Sequence, residues 1–400
     1  MTVTIKQSKA KGVITAPPSK SVAHRALICA ANTNGSPVSN ISYSDDINAT
    51  LNCLEALGTK IERHENSVFL GGLNSKNFKE NALLLCNESG STLRFMLPIC
   101  LLSDKKITLK GTKRLFERPL GIYEEICQNQ GLYFEKGEDS VTVCGPLKSG
   151  EYAVRGDISS QFITGLIFAL SLLKEDSKIT LTGKIESKSY IEITLKALKD
   201  FGVKVDFTDN VICIKGGQQF NATDYFVEGD CSNAAFLDSF NLLGGEVEVL
   251  GLNPVTAQGD YVYKRFFEEL KQGVKRFDLS DCPDLAPIMF SMAAVLGGAT
   301  FTGTKRLKIK ESDRAEAMKE ELKKFCIETK IYDNEVVIEG GVLNTPNEIL
   351  CSHNDHRIVM SLAVLSSITG GTISGAEAVN KSYPDFFSDI KKLGLEVKII

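Results

Sequence analysis

The chain has no cationic surplus. Among 400 residues, 46 Lys and Arg face 50 Asp and Glu, for a formal net charge of −4. Non-specific nucleic-acid binding draws on a large excess of positive charge, so a general basic sleeve for DNA or RNA is not expected. Long apolar runs are missing too. The uncharged stretches 285–304 and 358–376 are interrupted by Ser, Thr and a Gly-Gly pair. Each predicts a buried helix followed by a strand, because a membrane span needs ~20 continuous apolar residues. The opening residues, MTVTIKQSKAKGVITAPPSK, lack the apolar stretch of a signal peptide, and a cytoplasmic location is expected. Only four histidines occur, and the eleven cysteines show no C-x-x-C spacing. No metal site and no disulfide framework are expected, and the cysteines read as small core residues in a reducing compartment.

What is present is ordinary in amount, 43% hydrophobic and 24% charged, and the length suggests two or three domains. The arrangement repeats. A strand-like phrase ending in Gly recurs as KITLKG (106–111), KITLTG (178–183), EVEVLG (246–251), ATFTG (299–303) and GTISG (371–375), with a weaker copy in PVSNISYSDD (37–46). Helical patterns such as IEITLKALKDFG and AEAMKEELKKF follow, and pairs such as VKVDF and VICIKGG read as hairpins. A second, apolar helix type also occurs six times, each copy opening on small polar residues suited to N-capping. These begin at SKSVAHRAL, NESGSTLRF, DISSQFITG, DCSNAAFLD, DCPDLAPIM and NDHRIVMSL. Six α/β units therefore account for the whole chain.

Charge on these helices is placed against the helix dipole. Lys20, His24 and Arg25 lie in the first turns of one, Arg94 early in the second, and His356 and Arg357 open the last. Lys310 and Arg314, four apart in KESDR, are expected on one helix face. A cation near a helix N-terminus is unfavourable by tenths of a kcal/mol or more. Its repetition points to anion sites in which backbone N–H groups and cations act together, for a small ligand with phosphate or carboxylate groups. Ser159, Ser160 and Gln161 read equally well as a helix cap or as donors to phosphate oxygens. Asp284, after Pro283, reads as an ordinary cap or a functional carboxylate. Asp230 and Ser232 read as a cap or hinge.

In order along the chain stand PPSKSVAHRAL, the N-x-S-G-S-T-x-R-like segment at 87–94, ERPL (117–120), GDISSQFITGL, ESKSYIEIT, EGDCSN, PDLAP, KIKESDR, NDHRIVM and KSYPDF. With these ten segments the chain resembles the enolpyruvyl transferase family over essentially its whole length. The resemblance implies an α/β fold of two similar domains, each of three repeated units in an inverse barrel-like arrangement, with the active site in the interdomain cleft. The N-terminal lobe would span 17–228, and 1–16 plus 229–400 would form the C-terminal lobe. The implied reaction moves the enolpyruvyl group of phosphoenolpyruvate to the 5-hydroxyl of shikimate 3-phosphate in aromatic amino acid biosynthesis. It passes through a tetrahedral intermediate, releases phosphate, and uses no cofactor or metal. The two substrates together carry about six negative charges near neutral pH, which requires cations concentrated in one place.

Carried over by position, Lys20, Gly90, Arg118, Gln161, Arg314, Arg357 and Lys381 are the implied phosphoenolpyruvate ligands. Lys20, Ser21, Arg25, Ser159, Ser160, Gln161, Ser187, Asp284 and Lys310 are the implied shikimate 3-phosphate ligands, with Tyr190 shaping that pocket. Asp284 resembles the base, with Lys310 and Lys20 sharing charge and proton work. Glu311 resembles the proton shuttle to the methylene carbon, and His356 an aid to phosphate departure. Two positions depart from the family pattern: Glu88 replaces an amide donor, and Arg306 replaces a polar residue near the phosphate of shikimate 3-phosphate. Retained Gly90 implies sensitivity to glyphosate, which mimics bound phosphoenolpyruvate. The sister activity on UDP-N-acetylglucosamine is disfavoured because the loop GTKRLFERPL contains no Cys. A catalytically silent anion-binding relative is disfavoured by intact Lys20, Asp284, Glu311 and Lys381. An RNA-end-processing enzyme with related repeats is disfavoured by net acidity and the lack of aromatic stacking motifs. Small-molecule substrates, no nucleic-acid or membrane partner, and a monomer are expected.

Overall fold

The computed structural model describes residues 1–400. The chain forms two compact units, one of Met1–Pro17 with Gly229–Ile400 and the other of Pro18–Glu228. No helix is long and apolar enough to cross a membrane.

In the unit 18–228, three four-stranded sheets share one plan. In the second, Ala82–Asn87 runs parallel to Ile107–Gly111, which pairs antiparallel with Ser140–Cys144, itself antiparallel to Tyr133–Lys136. The third follows it with Glu151–Arg155, Ser177–Thr182, Val211–Ile214 and Val205–Thr208. In the first, the parallel outer strand is Tyr225–Phe226, supplied from the end of the unit beside Ser36–Ser39.

The other unit repeats this plan with Arg276–Asp278, Ala299–Thr302, Glu335–Ile338 and Thr329–Ile331. In its last sheet one of the two interior strands is Thr2–Ile5, inserted between Gly371–Ser374 and Val397–Ile399. The sixth sheet has only two strands, Glu246–Leu250 and Lys11–Thr15, in parallel.

The recurrent phrase is thus a strand in every copy, and its terminal glycine has a physical reason. Gly183, Gly251, Gly303 and Gly375 all turn the chain at positive φ, where L side chains are strained. At Gly111 φ is ordinary, but an added Cβ would lie 2.5 Å from the carbonyl oxygen of Asn87.

The six apolar helices are Lys20–Ala31, Gly90–Cys100, Ser160–Leu170, Cys231–Leu242, Ala286–Val295 and His356–Thr369, and nearly all their residues are buried. Gly90–Cys100 contains Pro98, which has no N–H for the carbonyl of Arg94 one turn earlier. The Tyr123 hydroxyl donates to that carbonyl at 2.6 Å. Gly165 of the neighbouring helix has no side chain at the point where a Cβ would meet both groups.

The cysteines are only partly core residues. Seven are buried, but Cys213, Cys326 and Cys351 are exposed, two of them on strands whose side chains alternate toward solvent.

Candidate active site

None of the six apolar helices carries an acidic residue in its first turn. The outer helices Asp45–Ala56, Gly121–Gln130 and Arg314–Lys324 do, as the dipole favours. Instead, Ser19, Ser89, Ser159, Asp230 and Asp355 cap five of the six through their side chains, accepting from backbone N–H groups.

In the unit of 1–17 and 229–400, the candidate residues converge on one carboxylate. Asp284 Oδ1 accepts from Lys310 Nζ at 3.1 Å and Arg314 Nη1 at 2.7 Å, and its Oδ2 accepts from Arg357 Nη2 at 3.0 Å. Asp284 is therefore not an ordinary cap. It lies in the short turn Pro283–Leu285, where its carboxylate serves these three cations. Nor do Lys310 and Arg314 meet on a helix face: Lys310 is extended, Asp313 caps, and the helix begins only at Arg314. The two side chains meet because both reach the same anion.

Arg314 also donates to Asp355 Oδ2 at 2.9 Å and to Glu311 Oε2 at 2.8 Å. Asp355 in turn accepts from the backbone N–H of Arg357 and from Ser312 Oγ. Arg357 Nη2 donates to Ser232 Oγ at 3.0 Å, and Lys381 Nζ donates to the carbonyl of Asn354 at 2.5 Å. The His356 ring is buried, with Nδ1 3.9 Å from Asp355 Oδ1. Asp230 acts as a cap, accepting from Asn233 N and from Ser232 Oγ. Arg306 is buried and donates to the carbonyl of Ser280 at 2.8 Å.

Electrostatics follow from this geometry. Burial by itself would push the Asp284 carboxyl up, but Arg357, Lys310 and Arg314 outweigh it and hold the group well below the usual carboxylate range. Burial lowers the Lys310 amine, although Asp284 opposes the shift. For Arg314, burial is overcome by Asp355, Glu311 and Asp284, which hold its proton more tightly than usual.

In the unit 18–228, the Lys20 amine pairs with Asp46 at 2.7 Å, both side chains nearly buried. Gly90 opens its helix directly against Arg118: a Cβ there would lie 2.5 Å from Arg118 Nη1. Gln161 donates to Ser91 Oγ at 3.0 Å and accepts from Arg94 Nη1 at 2.9 Å. Ser159 is a cap, accepting from the N–H of Gln161, and Ser160 is buried beside it. Ser187 is buried with left-handed backbone, φ 56°, at the start of Lys188–Asp200. Ser21 and Tyr190 are half-buried.

Arg25 is buried and engaged with the protein: Nη1 donates to the carbonyl of Ser21, Nη2 to that of Tyr190, and Nε to Thr194 Oγ1. Burial lowers its guanidinium to about 10. His24, expected among the cations, is fully buried, and burial with Lys20 and Arg25 nearby holds its pKa well below the ordinary histidine value. It is neutral.

Reading the sequence for cations missed the anions that hold them, Asp46 and Asp355, and the Arg94–Gln161–Ser91 bridge. The available signal was an acidic residue directly before the His-Arg pair. Such an arrangement can hold oxyanions, order their phosphates at helix N-termini, and present a carboxylate beside a reacting hydroxyl.

The EPSP synthase (3-phosphoshikimate 1-carboxyvinyltransferase) family profile matches residues 5–390. The chain is 40% identical over 418 residues to the 3-phosphoshikimate 1-carboxyvinyltransferase of Clostridium kluyveri, covering 99% of this chain and 98% of that protein. It is 40% identical over 421 residues to that of Clostridioides difficile, covering 97% and 96%. Among solved structures, an EPSP synthase from Acinetobacter baumannii aligns over 100% of both chains with a TM-score of 0.77 at 24% identity, which shows the same fold.

Proposed function

The chain belongs to the EPSP synthase family, and from that premise we propose that it transfers the enolpyruvyl group of phosphoenolpyruvate to the 5-hydroxyl of shikimate 3-phosphate, releasing phosphate. The observation that carries the reading is Asp284 held among Lys310, Arg314 and Arg357. In that arrangement the carboxylate is a weak base. Anionic substrate groups compete for the same cations, and drawing Lys310 and Arg357 toward them raises the basicity of Asp284 next to the hydroxyl it deprotonates.

The remaining roles follow from chemistry and position. In the unit 18–228, Lys20, Gly90, Arg118 and Gln161 serve phosphoenolpyruvate. Ser21, Arg25, Ser159, Ser160, Gln161 and Ser187 serve shikimate 3-phosphate, Arg25 by holding Ser21 and Tyr190 as well as by its charge. In the other unit, Arg314, Arg357 and Lys381 serve phosphoenolpyruvate. Lys310 stabilises charge beside Asp284, Glu311 carries the proton to and from the methylene carbon, and His356 supports departure of phosphate. The two compact units act as the two lobes, each of three repeated α/β elements. The enzyme works as a cytoplasmic monomer with no nucleic-acid partner.

Phosphate release from the two substrates, compared among the parent protein, Lys20→Ala and Asp284→Ala, tests the reading. Release from the parent that requires shikimate 3-phosphate and falls by at least about 10²-fold in Asp284→Ala supports it. Release that does not depend on shikimate 3-phosphate overturns it. Glyphosate is expected to inhibit the parent in competition with phosphoenolpyruvate.

A further inference from the structure

One turn deeper than Lys20, a buried polar chain crosses three helices of the unit 18–228. The His24 ring is fully buried and stands edge-on to Phe95, with centroids 6.2 Å apart. Its Nδ1 lies 2.8 Å from Thr50 Oγ1, which lies 2.7 Å from Thr92 Oγ1, which lies 2.8 Å from Ser89 Oγ. Lys20 and His24 are i, i+4 on one helix, and Asp46 and Thr50 are i, i+4 on the next. Lys20–Asp46 and His24–Thr50 are therefore two successive rungs between the same helices. The second rung continues to Ser89, the cap immediately before Gly90.

The direction of the protons can be counted. Each hydroxyl has one. That of Thr92 is given to Ser89 Oγ, with the carbonyl of Asp46 a more distant acceptor at 3.4 Å. Thr50 then donates to Thr92, so Thr50 must accept from His24, and the ring proton sits on Nδ1. Nε2 is left as a lone pair, buried and without a hydrogen-bond partner. A second ring proton would have no acceptor there and would lie near Lys20 and Arg25, in agreement with the depressed pKa of this ring.

We propose that His24 is a positioning residue: with its proton on Nδ1, it locks the Lys20 helix in register with the Asp46 helix and the Ser89–Gly90 turn, and so fixes the Lys20 amine for phosphoenolpyruvate. This rests on the role given to Lys20 above. A buried neutral imidazole suits the task because it donates in one fixed direction and has no room to turn, whereas a surface residue would leave the helix free to slide.

Steady-state kinetics on the full chain, with His24→Phe, Thr50→Val and His24→Asn, test the proposal. The Asn amide reaches the position of Nδ1. His24→Phe and Thr50→Val are expected to raise KM for phosphoenolpyruvate roughly tenfold to a hundredfold, because displacing a positioned group by a fraction of an ångström is costly. His24→Asn is expected to stay within about threefold of the parent. Nitrogen-15 spectra of the histidine rings should show the Nδ1–H neutral form at this position, unchanged between about pH 8 and about pH 6. A folded Thr50→Val or His24→Phe with parental KM overturns the proposal, as does an Nε2–H ring. Should His24→Phe not fold, the near-isosteric Thr50→Val decides. Lack of turnover by the parent would instead overturn the assigned reaction, and the ring spectra would still decide where the proton sits.

Discussion

Asp284 offsets three cations at once, so its replacement is expected to cost stability as well as catalysis. Asp284→Asn keeps the shape but removes one carboxylate shared by Lys310, Arg314 and Arg357, while Arg314 keeps Asp355 and Glu311. Taking one carboxylate out of a buried ion-pair network typically costs about 3 kcal/mol, so the urea midpoint should fall. Added inorganic phosphate should restore more stability to the variant than it adds to the parent, because it replaces the lost anion. Equal gains in both would contradict the picture. His24 sets a pH dependence. Its folded pKa is depressed by burial, Lys20 and Arg25. As pH falls below the ordinary value of 6.5, the unfolded ring therefore takes up a proton that the folded ring, packed between Thr50 and Phe95, refuses. This contribution to stability is complete above pH 6.5 and declines with acidification toward the folded pKa. Denaturant titrations between about pH 7 and about pH 5 should accordingly show a shallower loss for His24→Asn than for the parent.

At the scale of elements, the Gly90–Cys100 helix has a bare start and an interrupted interior. Gly90 leaves its first turn open against Arg118, which is itself buried. Gly90→Ala places a methyl group 2.5 Å from Arg118 Nη1, so the guanidinium must yield. Weaker phosphoenolpyruvate binding and reduced inhibition by glyphosate are expected together; parental values for both would show that Arg118 moves at no cost. Further along this helix, Tyr123 satisfies the carbonyl that Pro98 leaves open. Tyr123→Phe removes this donor from a buried carbonyl, at about 1–3 kcal/mol of stability by chemical denaturation. The effect on KM should be small, since the substitution leaves the Arg94–Gln161 bond in place.

At the scale of the whole molecule, the first strand links the two ends of the chain. Thr2–Ile5 is interior to a sheet whose other members come from residues 350–399, and Val3 is fully buried there. Val3→Asp puts an unpaired carboxylate into that core and should remove hydrogen-exchange protection from Gly371–Ser374 and Val397–Ile399. Amides in Ser177–Thr182 and Val211–Ile214, in the other unit, should remain protected. Uniform loss across both units would mean that the two cores do not open separately.

Much of this was legible in the sequence, because it depends on local physics. Strand phrases ending in Gly announce turns at positive φ, apolar runs after Ser, Asp or Asn announce buried helices, and ten ordered motifs announce the family. The positions of Lys20 and Arg357 were legible for the same reason, as cations where a helix dipole disfavours them. Their partners were not. That Asp284 takes three cations, that Asp46 holds Lys20, that Lys310 meets Arg314 off any helix, and that His24 is neutral all depend on how separate elements pack against one another. Charge state and hydrogen-bond direction are set by burial and by distances between elements, and only the folded chain fixes those.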